Sequence, residues 1–250
     1  MDNEISKFYK YANKYKKYGK LIDLKIDHTI RVMNLCGEIA ESLDLNKEDI
    51  KLAKICGLVH DIARFEQLKR YNTFSDSLSI DHGNLGVELL KEDNFIREFN
   101  SNLENDGLIL KTVKNHNKYE LEKGLNERET LFCNIVRDAD KIDILYLYTT
   151  GEITLNLDES DFSDLVYNEL LNKHLISRRE KINKNDSLGI SLGFVYDLNF
   201  RKSFEILKEN DYLNKEIDIY IKKSNNKSFK EHLENIRNVI NSYIEEMIVC

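Results

Sequence analysis

Apolar residues recur along this chain at three-and-four spacing, and no segment alternates convincingly between apolar and polar. That periodicity marks helices that bury one stripe, and it constrains the fold more than any other feature. The sequence has no proline and only ten glycines in 250 residues, so few helix breakers interrupt the pattern. The expected fold class is all-α, a helical bundle. Residues are 41% hydrophobic and 32% charged, enough for one sizeable core or two small ones, and no Gly/Ser-rich linker divides the chain. Residues 1–250 are therefore expected to form a single domain.

The most apolar helix runs from Ile50 to Val59 and leads into Leu58-Val59-His60-Asp61-Ile62-Ala63-Arg64. Leu52, Ala53, Ile55, Cys56, Leu58 and Val59 leave it apolar on most sides, which predicts burial. A carboxylate carried into a core is costly unless it is paired or bound to a cation. An imidazole nitrogen beside a carboxylate oxygen suits a divalent metal. The competing reading is an Asp–His hydrogen bond that closes a core helix. Arg64 falls on the same helical face as His60.

A helix is predicted from about Asp27 to Leu43. His28, Val32, Leu35 and Ile39 share one face of it, so His28 sits at its start and points inward. Asn46 caps the next helix. Residues 65–81 are polar and irregular and read as a loop over the site. His82 opens a new helix, with Ser79 or Asp81 as its cap. Ile109, Val113 and His116 repeat the buried-face pattern. Asn126 and Glu129 look like the cap and third-position acid of a helix to about Tyr148. That helix carries Arg137-Asp138-Ala139-Asp140-Lys141-Ile142-Asp143, and periodicity leaves open whether Asp138 or Asp140 faces inward. Further helices are predicted at Leu165–Leu171, from about Phe194 to Leu213, and from about Phe229 to Ile248. His174 and His232 read as surface residues.

Composition narrows the partners. A net charge of −7 argues against general nucleic-acid binding. The lysine- and tyrosine-rich residues 4–18 read as an amphipathic helix with solvated lysines. No apolar run is long enough to span a bilayer, and the polar, acidic start does not resemble a secretory signal. A soluble, cytoplasmic protein is the expectation. Cys36, Cys56, Cys133 and Cys250 form no C-x-x-C pair and read as core residues, not zinc ligands.

Four of the six histidines, His28, His60, His82 and His116, start or end predicted apolar helices. Asp61 and one aspartate of the 138–143 cluster join them. Helices that converge such side chains build one or two metal sites in a bundle core. Nitrogen and oxygen ligands without thiolate suit Fe, Mn, Zn, Ni or Co better than calcium. Arg64 and Lys141 adjoin these motifs; Lys114 and Lys118 read as surface residues.

The ordered set His28 … His60-Asp61 … Asp140 resembles the HD-domain superfamily. His60-Asp61-Ile62-Ala63 is similar to its His-Asp-Ile-Gly motif, with Ala63 in place of glycine. Asp138-Ala139-Asp140-Lys141 resembles its closing Ala-Asp element, which implies Asp140 as the ligand. His82 and His116 match the extra histidines of binuclear members. The resemblance covers about residues 20–150 and leaves 151–250 without a counterpart. It implies a phosphohydrolase that uses one or two divalent transition-metal ions on a small phosphorylated, nucleotide-like substrate, with Asp61, Arg64 and Lys141 in the catalytic machinery. It leaves homo-oligomerisation open. Two other readings stand beside it: a di-iron oxygenase of the same superfamily, and a non-catalytic nucleotide-binding regulatory module.

Overall fold

The computed structural model of the protein describes residues 1–177 and 181–249. It is all-α, with no strand among the described residues. The first helices are α1 (Asp2–Ala12), α2 (Lys20–Ser42), α3 (Lys47–Val59), α4 (Ala63–Tyr71), α5 (His82–Lys91), α6 (Asp106–Asn115) and α7 (Glu127–Thr150). They are followed by α8 (Asp164–Leu171), α9 (Asp186–Leu192), α10 (Arg201–Asn210), α11 (Tyr212–Lys223) and α12 (Lys227–Val249). The chain falls into two compact units, Met1–Asp140 and Lys141–Cys250. The border lies inside α7, so no loop composition signals it.

In the first unit α2 packs against α3. Gly57 sets how closely. A methyl group there would lie 2.8 Å from Cys36 Sγ and 2.9 Å from the Met33 Cα, so only glycine admits this approach. Asn46 caps α3, its Oδ1 accepting from the Glu48 and Asp49 amides at 3.0 and 2.9 Å. Asp81, not Ser79, caps α5. Asn126 and Glu129 cap α7 reciprocally: the Glu129 amide donates to Asn126 Oδ1 at 2.9 Å, and the Asn126 amide to Glu129 Oε2 at 3.0 Å. Cys36, Cys56 and Cys133 are buried, as expected of core residues. Cys250 lies outside the described residues.

Two sequence expectations need correction here. Helix α2 begins at Lys20, so His28 sits well inside it and not at its start. Ile22 and Ile26, four residues apart, are buried in the turns that precede His28. Residues 65–71 are helical, and the loop begins only at Asn72. Phe65 and Leu68 bury one side of this short helix. On the other, Glu66 Oε1 accepts from Lys69 Nζ at 3.0 Å and Arg70 Nε at 2.8 Å. Asn72 ends it in the left-handed region, at φ 53°.

In the second unit Phe204, Phe229, Leu233 and Ile236 are fully buried. The helix expected from Phe194 to Leu213 is broken twice. Leu198 and Phe200 are extended, and Asp211 turns left-handed at φ 55° between α10 and α11. Asp186 is wholly buried and is held by the amides of Ser163, Ile182 and Asn183 at 2.7–3.0 Å. His174 is exposed and pairs with Glu169, while His232 is partly exposed and pairs with Asp161 at 2.8 Å.

Candidate metal centre

Six side chains from five helices and one turn meet inside the first unit. His28 comes from the interior of α2, and His60 closes α3. Asp61 lies in the turn before α4. His82 opens α5, His116 closes α6, and Asp140 lies on α7. His28 and His60 are 0% exposed, and Asp61, His82 and His116 are each 3% exposed. Burying this much polar surface in one place is costly without partners.

The Asp61 carboxylate divides its oxygens between two histidine pairs. Oδ2 lies 3.6 Å from His28 Nε2 and 3.7 Å from His60 Nε2. Oδ1 lies 3.3 Å from His82 Nε2 and 3.4 Å from His116 Nε2. Asp140 Oδ1 faces the first pair, 3.2 Å from His28 Nε2 and 3.7 Å from His60 Nε2. His28, His60 and Asp140 form one group able to hold a metal, and His60, Asp61 and His116 another; within each, the ligand atoms all lie within 4.8 Å of one another. Asp138, which periodicity could not separate from Asp140, is fully buried and belongs to neither group.

In three of the four histidines the other ring nitrogen explains which way the lone pair points. His60 Nδ1 donates to the Gly57 carbonyl and His116 Nδ1 to the Val113 carbonyl, both at 2.7 Å. His82 Nδ1 faces Asp76 Oδ2 at 2.6 Å. Carbonyl and carboxylate oxygens only accept here, so Nδ1 carries the proton and the neutral Nε2 offers a lone pair to the cluster. His82 and His116 bring these Nε2 atoms to 2.9 Å of each other, where two lone pairs repel unless a cation lies beside them. His60 Nε2 is buried with no hydrogen-bond partner. Four imidazoles, two carboxylates and no thiolate are the donor set of a divalent transition metal, and the residues fit such an ion.

Electrostatics point the same way. Burial alone would raise the Asp61 carboxyl, but Lys25, His60 and Arg64 hold it well below the usual range. Burial would likewise raise Asp140, but His28 and His60 beside it hold it well below the usual range. Burial and the charge of Arg64 push the His82 imidazole down to about 4, so it is neutral and free to coordinate near pH 7.

The cations named from sequence are placed differently from one another. Arg64 Nε lies 3.4 Å from Asp61 Oδ1. Its Nη1 donates to Gln67 Oε1, the Phe74 carbonyl and Asp76 Oδ1 at 2.8, 2.6 and 2.9 Å, fastening the 72–81 segment. Lys141 Nζ pairs with Asp197 at 2.7 Å. Lys114 pairs with Glu122 and Lys118 with Asp81. Two residues at the site escaped sequence reasoning: Lys25, whose Nζ donates to Asp61 Oδ2 at 2.7 Å, and Asp76, which holds His82 and Arg64. Lys25 lies three residues before His28, on the same helical face, and that spacing was the available signal.

No helix among the described residues is long and apolar enough to cross a membrane. No curated protein and no solved structure matches the chain. The family model of the HD domain does match, over residues 26–145, a span that contains all six converging side chains. Residues 26–145 of this chain are an HD domain, the fold of a superfamily of metal-dependent phosphohydrolases.

Proposed function

We propose that the protein is a metal-dependent phosphohydrolase acting on a phosphomonoester or phosphodiester of a small, nucleotide-like molecule, and that its centre holds two divalent ions. The observation that carries this reading is the Asp61 carboxylate, with one oxygen toward His28 and His60 and the other toward His82 and His116. His28, His60 and Asp140 would hold one ion, His82 and His116 the other, and Asp61 both. Divalent ions there would supply a water deprotonated near neutral pH and charge to neutralise phosphoryl oxygens.

The chain's own residues do the rest. The Gly57 and Val113 carbonyls fix His60 and His116 by their Nδ1 protons, and Asp76 fixes His82. The low exposure of the five innermost side chains keeps bulk water from competing for the phosphate. Arg64 adds positive charge beside Asp61 and is proposed as a phosphate contact through the guanidinium face not engaged with the loop. Lys141 would reach a phosphate only if its pair with Asp197 opened, so its contribution is proposed as the smaller.

The test is a screen of nucleotides, dinucleotides and phosphomonoesters with protein loaded in turn with Fe, Mn, Zn, Ni and Co, beside elemental analysis. Loaded protein should approach about two ions per chain, and replacing His82 and His116 by alanine should leave about one. Asp61→Ala should abolish turnover. Fully loaded protein that hydrolyses no phosphate ester would remove the phosphohydrolase reading and favour oxygen chemistry or a regulatory role.

A further inference from the structure

Asp61 Oδ2 serves two masters. It faces the Nε2 atoms of His28 and His60, and it accepts a 2.7 Å hydrogen bond from Lys25 Nζ. An ammonium and a divalent ion gathered on one carboxylate oxygen repel each other strongly where water is scarce. Lys25 is built to leave. Its stem has four rotatable carbons, its side chain is 17% exposed, and α2 carries it beside the site while Ile22 and Ile26 anchor the helix in the core. Its ammonium also stands 5.7 Å from the ring centre of Phe74, in the segment that Arg64 fastens over the site. Among the described residues Asp61 is the one carboxylate within ion-pair reach of Lys25. Once a metal takes that oxygen, the lysine's charge is left without its carboxylate, beside the centre and partly open to solvent.

We propose that Lys25 is an exchangeable cation: it neutralises Asp61 in the metal-free protein and turns to the substrate's phosphoryl group when metal occupies the carboxylate. The inference rests on the two-metal phosphohydrolase reading, but it concerns a residue that the ligand set does not include. It makes two demands that a merely structural ion pair does not. Removing the lysine should tighten metal binding, because a competitor for the oxygen is gone. The same change should weaken phosphate binding by the loaded protein, because a counter-charge is gone.

The experiment compares the parent protein with Lys25→Met and Lys25→Arg. Mn²⁺, Zn²⁺ and Co²⁺ are titrated calorimetrically into metal-free protein, and inorganic phosphate into protein loaded with the tightest of the three. Lys25→Met should bind metal roughly tenfold tighter, the size of change that partners of metal ligands typically make. Its metal-free form should melt below the parent's, its loaded form should melt with the parent's, and its phosphate affinity should fall by about tenfold. Lys25→Arg, which keeps the charge, should restore the metal affinity and melting behaviour of the parent. Equal metal affinity in Lys25→Met and parent, or equal phosphate affinity, overturns the proposal while leaving the metal centre intact. A parent that binds none of the three ions removes the two-metal reading itself, and the inference with it.

Discussion

Asp76 touches no atom of Asp61 or Asp140 in the contacts that define the centre, yet it governs one of its histidines. Its Oδ2 faces His82 Nδ1 at 2.6 Å, and its Oδ1 accepts from Arg64 Nη1 at 2.9 Å and Gln67 Nε2 at 3.0 Å. Burial would raise the Asp76 carboxyl, but His82 and Arg64 hold it well below the usual range, so it stays ionised. An ionised acceptor at Nδ1 fixes the tautomer that presents Nε2 and makes that nitrogen a better ligand. Asp76→Ala should weaken metal binding at the His82–His116 pair by about 10–100-fold and spare the His28–His60 pair. Asp76→Asn, which keeps an acceptor oxygen but not the charge, should fall between. A two-site metal titration reads this directly, and equal loss at both sites would mean that the aspartate only holds the loop. That these six side chains converge was legible because apolar faces and motif order announce it. Lys25 and Asp76 were not, because their roles come from contacts that periodicity cannot see. Lys25 meets a residue 36 positions away, and Asp76 sits in a segment with no repeating pattern.

Among the elements, the closeness of α2 and α3 matters most, since one carries His28 and the other ends in His60. Gly57 allows it. A methyl there would meet the Met33 Cα at 2.9 Å, and a backbone atom cannot rotate aside. Gly57→Ala should therefore push the helices apart and cost about 1–3 kcal/mol, as overpacking does. It should weaken metal binding as well, because the His28 and His60 nitrogens would separate. Gly107→Ala is the contrast: nothing lies within 4 Å of its added methyl, and it sits in the first turn of α6. That change should be neutral or stabilising by up to about 1 kcal/mol. Thermal denaturation beside a metal titration separates the two; a Gly57→Ala protein as stable as the parent would show that the helices yield at little cost. The same elements show how far periodicity reaches. Long helices with a continuous apolar stripe, such as α3, α7 and α12, stand close to where spacing puts them. Helix α4 was missed because it buries few apolar residues, and its support comes from Lys69 and Arg70 pairing with the buried Glu66. The predicted Phe194–Leu213 helix was one pattern laid over three elements, because extended residues at Leu198 and Phe200 and a left-handed Asp211 interrupt it without a glycine or proline to mark the breaks.

On the scale of the whole chain, the two units differ in what their buried charges do. In the first, buried carboxylates face histidines and cations. In the second, Glu216 on α11 is 0% exposed, and its carboxyl is met by the Ser191 hydroxyl, which donates at 3.0 Å to Oε1 and 3.2 Å to Oε2. Burial pushes this carboxyl up from 4.5 to about 8, and the serine bond only partly opposes it. The consequence for stability follows from linkage. Below about pH 4.5 the carboxyl is protonated both folded and unfolded, and it has no effect. Between about 4.5 and 8 only the unfolded chain ionises, so stability falls as pH rises; above about 8 the penalty is complete. Glu216→Gln keeps the shape and removes the ionisation. It should stabilise the chain at pH 7 by about 3 kcal/mol, less whatever the second amide hydrogen loses without an acceptor. The advantage of the variant should be absent near pH 4, grow up to about pH 8 and then level off. Denaturant melts at several pH values check the shape of that curve. A variant that is less stable than the parent at every pH would mean that Glu216 finds, in the folded chain, a partner for its negative charge.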